Sequence, residues 1–110
     1  MSTPWGELLS PALQKERLTF SPPSVAYFRH QGVAGGYGLA IAKVYGFIGH
    51  NGGLPGFTTD AWYLPALQAT IVVIANSDAV GKTQEQGLAD PADQLFKRLA
   101  KIVPGLQRAA

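Results

Sequence analysis

The chain contains no cysteine, which excludes disulfide scaffolds, thiolate zinc sites and cysteine nucleophiles together. It has only two histidines, His30 and His50, and neither has a second imidazole at a metal-ligand spacing. That argues against a metal centre. Charge is sparse as well: charged residues are 15% of the chain, and nine Lys+Arg against seven Asp+Glu leave a net +2. No basic run is longer than Lys97-Arg98, so the pattern predicts no nucleic-acid footprint. Long apolar runs are missing too. The longest, Ile71–Ala75, falls far short of the ~20 residues that span a bilayer, so no membrane span is expected. Residues 1–20 do not read as an export signal, because Glu7, Lys15, Glu16 and Arg17 interrupt any apolar stretch. Asp60 and Asp78 lack a carboxylate neighbour at catalytic spacing, which argues against paired acid–base chemistry. Compartment is not readable from these residues.

What is present suits a folded core. Hydrophobic residues make up 46% of the 110, and thirteen glycines and eight prolines cut the chain into short pieces. There is no internal repeat and no low-complexity block, so residues 1–110 read as one domain. Ser10 as N-cap and Pro11 at the first helical position predict a short helix over about 11–18. Residues 19–35 carry Pro22-Pro23, Gly32 and Gly35-Gly36 and read as loop, with one short strand near Val25–Phe28. From Tyr37 to Tyr45 bulky residues alternate with Gly38, Ala40 and Ala42, predicting a single strand with one small face.

Phe57–Leu64 reads as a second strand and Pro65–Gln68 as a turn. Ala69–Asn76 reads as a third strand, apolar on both faces and therefore central in a covered sheet. Short connections predict antiparallel pairing over about 37–76. Asp90 as cap and Pro91 at the first position predict a helix over about 91–103. Its stripe of Leu95, Phe96, Leu99, Ile102 and Val103 is amphipathic, and Pro104-Gly105 ends it. The fold class expected is α+β: an antiparallel meander with a short N-terminal helix and a C-terminal amphipathic helix packed on one face. Trp62 and Tyr63 alternate along a strand, so one is expected in the core and the other at the rim. Trp5 is expected to anchor the N-terminal segment, and His30 to lie on the surface.

The segment Gly49–Phe57, which holds His50-Asn51-Gly52-Gly53, departs from plain scaffold. One reading is a hairpin turn, since Asn-Gly is a strong hairpin signal. A two-residue turn needs one glycine, however, and here three glycines and a proline follow a histidine. The ordered string Tyr37-Gly38-Leu39, then Gly49-His50-Asn51-Gly52-Gly53-Leu54-Pro55-Gly56-Phe57, then Ile71-Val72-Val73-Ile74-Ala75-Asn76, resembles the C-terminal part of the serine β-lactamase-like family. That family groups class C β-lactamases, D-alanyl-D-alanine carboxypeptidases and related esterases. The segment Leu8–Pro11 is similar to the helix that precedes the family's sheet, and the likeness covers most of residues 8–103. Ala40 stands where the family usually has a second glycine.

The resemblance implies a partial domain whose His50-Asn51-Gly52 is the family's third motif, on the strand that edges the substrate cleft. It implies a catalytic role in proton handling for His50 and substrate binding by Asn51, Gly52 and Gly53. The Gly53 N–H would supply half of an oxyanion hole, and Gly52 would let the backbone approach a bound carbonyl. The substrate in a parent enzyme would be a small ester, a lactam or a D-amino-acid peptide, hydrolysed through an acyl-enzyme with no metal or organic cofactor. Two family motifs are absent from this sequence. No serine begins Ser-x-x-Lys, and no tyrosine or serine begins the second motif, Tyr-x-Asn or Ser-x-Asn. The expectation is therefore a C-terminal fragment of a hydrolase, inactive alone and completed by the missing N-terminal part of the fold.

A second class of function stays open: a non-catalytic binding module that self-associates through the small face at Gly38, Ala40 and Ala42 or through unpaired sheet edges. Asn76–Thr83 nearly matches a phosphate-binding loop, but Asn76 replaces its first glycine and no helix is expected to start at Lys82. A solvated loop is the reading preferred there.

Overall fold

A computed structural model describes residues 8–79 and 90–108, with side chains to residue 103. The elements are helix α1 (Pro11–Arg17), helix α2 (Pro22–His30), strands β1 (Gly35–Tyr37), β2 (Ala42–Val44), β3 (Phe47–Leu54), β4 (Phe57–Leu64) and β5 (Ala69–Ala75), and helix α3 (Pro91–Arg108). The strands form one five-stranded antiparallel sheet in sequence order, a meander, so the α+β architecture is as expected. Among the described residues no helix is long and apolar enough to cross a membrane. The chain divides into two compact units, Met1–Ile48 and Gly49–Ala110. Trp5 and the stretch 80–89, which includes the end of the phosphate-loop-like string, lie outside the described residues.

In the first unit α1 begins where the cap predicts: the Leu13 N–H donates to Ser10 Oγ at 3.2 Å. Residues 22–30 are helical rather than loop or strand. Pro22-Pro23 occupy the first helical positions, where a missing N–H costs nothing, so the pair starts a helix instead of breaking one. Ser24 ties that start to β1, because its Oγ accepts the Tyr37 N–H at 2.9 Å.

The single strand expected over 37–45 is also corrected. It splits into β1, a turn at 38–41 and β2, with Tyr37 opposite Ala42. Ala40 sits at φ +52°, a left-handed conformation incompatible with a continuous strand. The small face expected for self-association is therefore not formed. Ala42 is buried, and a Cβ at Gly38 would come within 2.1 Å of the Arg17 carbonyl oxygen.

The second unit is built on the β4–β5 hairpin and α3. β4 occupies the residues expected for it and alternates: Thr58, Asp60, Trp62 and Leu64 are buried. Paired with them are Ile71 opposite Trp62 and Val73 opposite Asp60, both buried. Val72 and Ile74, on the other face of β5, are 61% and 74% exposed. So β5 is an edge strand with one covered face, not a central strand; being apolar on both faces does not by itself make a strand central.

Helix α3 covers the Trp62 face. Phe96 is almost fully buried and stacks on Trp62 at 5.0 Å between ring centroids. Among the described side chains of α3, Ala92, Asp93, Phe96 and Ala100 are buried, while Leu95 and Ile102 of the expected stripe are about half exposed, at 47% and 54%. The helix runs on to Arg108, through Pro104 and Gly105. Proline already has a helical φ and removes one hydrogen bond, which a helix near its end tolerates at a cost.

Candidate functional site

The strand β3 carries the four candidate residues, and it does not turn at Asn51-Gly52. The chain stays extended to Leu54 and reverses at Pro55-Gly56, where Gly56 has φ +83°. Proline followed by a glycine at positive φ is the chemistry of a type II turn, so the second glycine-containing pair supplies the reversal. The Gly56 N–H donates to Asp78 Oδ2 at 2.9 Å, which gives Asp78 a structural task. His50, Asn51, Gly52 and Gly53 therefore lie consecutively on a strand.

Alternation along β3 sends their side chains in opposite directions. Asn51 is half-buried and points to the α3 side, where its Nδ2 donates to Asp93 at 3.2 and 3.4 Å. His50 is exposed on the opposite face, the one that also carries Thr59, Val72 and Ile74. Thr59 Oγ1 reaches the Gly52 carbonyl oxygen at 3.4 Å on that face. The His50 Nδ1 contacts the Asn51 carbonyl oxygen at 2.5 Å. A carbonyl can only accept, so Nδ1 carries the proton and Nε2 is the acceptor of the neutral ring. The structure thus brings His50, Gly52 and Gly53 to one exposed stretch and sets Asn51 to inward work.

The glycines differ in why they are glycine. A Cβ at Gly49 would meet the Ala61 carbonyl oxygen at 2.0 Å and Trp62 Cα at 2.9 Å, so β4 demands glycine there. At Gly52 the nearest atom is Thr59 Oγ1 at 3.0 Å, the end of a side chain that can turn. At Gly53 nothing comes closer than 3.8 Å. Packing among the described residues therefore does not require glycine at 53. A glycine inside a strand can mark a bulge, a tight bend or a place where a ligand or second backbone approaches closely.

Behind β3 lies a group the sequence did not suggest. Asp60 is fully buried and Asp93 is 2% exposed, and with Asp90 their carboxylate oxygens come within 4.8 Å of one another. The expectation that Asp60 has no carboxylate neighbour is corrected: its partners come from α3, far along the chain. Each carboxylate already serves N–H donors. Asp60 Oδ1 accepts from Trp62 Nε1 at 2.6 Å, Asp90 Oδ1 accepts the Asp93 N–H at 2.9 Å, and Asp93 takes the Asn51 amide.

The first turn of α3 is satisfied in the same place. Pro91 has no N–H, Thr58 Oγ1 accepts the Ala92 N–H at 3.3 Å, and the Gln94 N–H bonds the Asp90 carbonyl at 3.0 Å. Burial pushes both buried acids up. Asp60 is raised from 3.8 by desolvation, partly offset by hydrogen bonds from Asp93 and Trp62. Asp93 is raised to about 8, by desolvation first and then by Asp60 and Asp90. No family model, curated protein or solved structure matches the chain.

Proposed function

We propose that the chain is the C-terminal part of a β-lactamase-like serine hydrolase, with β3 as the strand along which substrate lies. The observation that carries this reading is the placement of His50-Asn51-Gly52-Gly53 along one strand, with His50, Gly52 and Gly53 exposed and no atom of the described residues nearer than 3.8 Å to a Cβ at Gly53. His50 offers a ring whose Nε2 is the acceptor in the neutral state, suited to handling a proton beside a nucleophile. The Gly53 N–H is the candidate oxyanion donor. Ala40 at φ +52° adds support, because a glycine is the ordinary residue for that backbone and the family string has one there.

The nucleophile would come from residues outside this sequence, over the open face that carries His50, Val72 and Ile74. The reaction class is ester or amide hydrolysis through an acyl-serine. The test is to read the DNA upstream of the Met1 codon, express any in-frame extension together with this chain, and assay chromogenic esters and lactams. A Ser-x-x-Lys and a Tyr-x-Asn in the extension are expected, with turnover that falls at least a hundredfold in His50→Ala, in line with the ~10²–10⁴-fold worth of a general acid–base group. An extension without either motif, or turnover indifferent to His50, overturns the reading.

The second reading is a non-catalytic module that self-associates along the β5 edge. It rests on Val72 and Ile74, exposed on an edge strand. It predicts a dimer by sedimentation that Val72→Lys converts to monomer.

A further inference from the structure

We propose that Asp60 of β4 and Asp93 of α3 share a single proton, and that this proton is a pH-sensitive latch which holds the start of α3 and, through Asn51, sets strand β3. The inference does not depend on the hydrolase reading. It begins with an orphan. Asp60 Oδ2 is buried and no donor N–H or O–H of the described residues reaches it, although Asp60 Oδ1 is served by Trp62. A buried carboxylate oxygen without a donor is costly, and the polar group nearest in kind is another carboxyl, Asp93. Two carboxylates cannot bond each other, whereas a carboxylic acid and a carboxylate can. One proton placed between them supplies the missing donor and removes one of two like charges.

The surroundings fit that state. From the start of α3 the pair faces the acidic Asp90; from β3 the neutral amide of Asn51, with His50 acting on Asp60 only through its charge from the other face of that strand; from β4 the indole of Trp62; and from β5 the apolar Val73. Among the described residues none of these groups is a lysine or arginine. The Asn51 amide then bonds Asp93 whether or not the acid is protonated, but only the protonated pair holds α3 and β4 together without repulsion. Loss of the proton would drive the carboxylates apart and carry the Asn51 anchor with them.

The sign follows from linkage. Asp93 has a native pKa of about 8 against 3.8 when unfolded. Between those values the native state holds a proton that the unfolded chain has released. The folding equilibrium constant therefore falls as pH rises, by up to about tenfold per pH unit, and levels off above the native value.

The experiment is urea unfolding of the chain from pH 4 to 9, for wild type, Asp93→Asn and Asp60→Asn. A second measurement follows the carboxyl carbons and the Asn51 side-chain amide of wild type by NMR through the same range. In Asp93→Asn the amide is a permanent neutral donor that still accepts from Asn51, so the fold is kept and the pH slope is expected to flatten. In wild type one carboxyl carbon is expected to titrate far above the usual carboxylate range, and the Asn51 amide to shift with the same midpoint. An Asp93→Asn slope equal to wild type, or all carboxyl carbons titrating near 4, overturns the latch. So does a neutral-pH midpoint raised by magnesium or calcium chloride in wild type but not in Asp93→Asn, because a cation would then be holding the carboxylates.

Discussion

Two glycines four residues apart on β3 allow scaffold and site to be separated by a single methyl group. At Gly49 a Cβ would sit 2.0 Å from the Ala61 carbonyl oxygen, 2.9 Å from Trp62 Cα and 3.0 Å from the Ala61 carbonyl carbon. All three are backbone atoms of β4, itself held in register with β5 over Thr58–Leu64, so none can swing aside. Overpacking of this kind costs about 1–3 kcal/mol, and contact with main chain rather than side chain belongs at the upper end. At Gly53 the nearest atom is 3.8 Å away and φ is not positive, so Gly53→Ala should stay within about 0.5 kcal/mol of wild type. In a domain of this size each kcal/mol moves Tm by about 4–8 °C, which makes the contrast easy to see in a thermal melt. Gly49→Ala is expected to melt at least ten degrees lower and Gly53→Ala with wild type. On the hydrolase reading proposed above, Gly53→Ala should instead lower turnover, since its methyl would occupy the space a bound carbonyl needs. A Gly49→Ala variant as stable as wild type would refute the packing argument. A Gly53→Ala variant that unfolds as easily as Gly49→Ala would remove the main support for a ligand on β3.

Ala40→Gly should raise stability by about 0.5–1 kcal/mol in chemical denaturation, because it relieves a left-handed alanine whose strain exceeds the entropy that glycine adds to the unfolded chain. Phe96→Ala should cost about 3–5 kcal/mol and quench the near-ultraviolet dichroism of Trp62, since the two rings stack at 5.0 Å in the core between β4 and α3.

Local chemistry was the readable part. Ser10 and Pro11 start α1, Asp90 and Pro91 start α3, and the period-2 burial of β4 runs over the residues its alternation indicates. What failed to read locally was decided by contacts made elsewhere. Pro22-Pro23 can stop one helix or begin another, and the bonds that tie Ser21 and Ser24 to Tyr37 of β1 favour the second. The size alternation of 37–45 is genuine, yet a turn that places Leu39 N–H on the Arg17 carbonyl breaks it in the middle. The stripe Leu95–Ile102 is apolar, but α3 is rotated so that Asp93 meets Asp60, which leaves Leu95 at the surface. No spacing rule links Asp60 to Asp93; their meeting depends on a helix laid across a sheet.

The same crossing explains why His50 and Asn51, neighbours in a motif-like string, have different tasks. A strand sends adjacent side chains to opposite faces, so two consecutive residues cannot both point at a ligand lying on one face. His50 has the open face, and Asn51 has the amide that reaches Asp93. A polar residue is therefore kept at position 51 by a buried acid pair behind the strand, and the strand's orientation in front depends on the same pair. Gly49 presses β3 against β4 from within, and Asn51 ties it to α3 one step further on. From Gly49 to Asn51 the strand is anchored inward at alternate residues, which leaves His50 between two fixed points and Gly52-Gly53 beyond them. That arrangement gives a rigid base to a stretch of exposed backbone, and rigidity there is what a strand needs if its N–H groups are to hold a carbonyl in place.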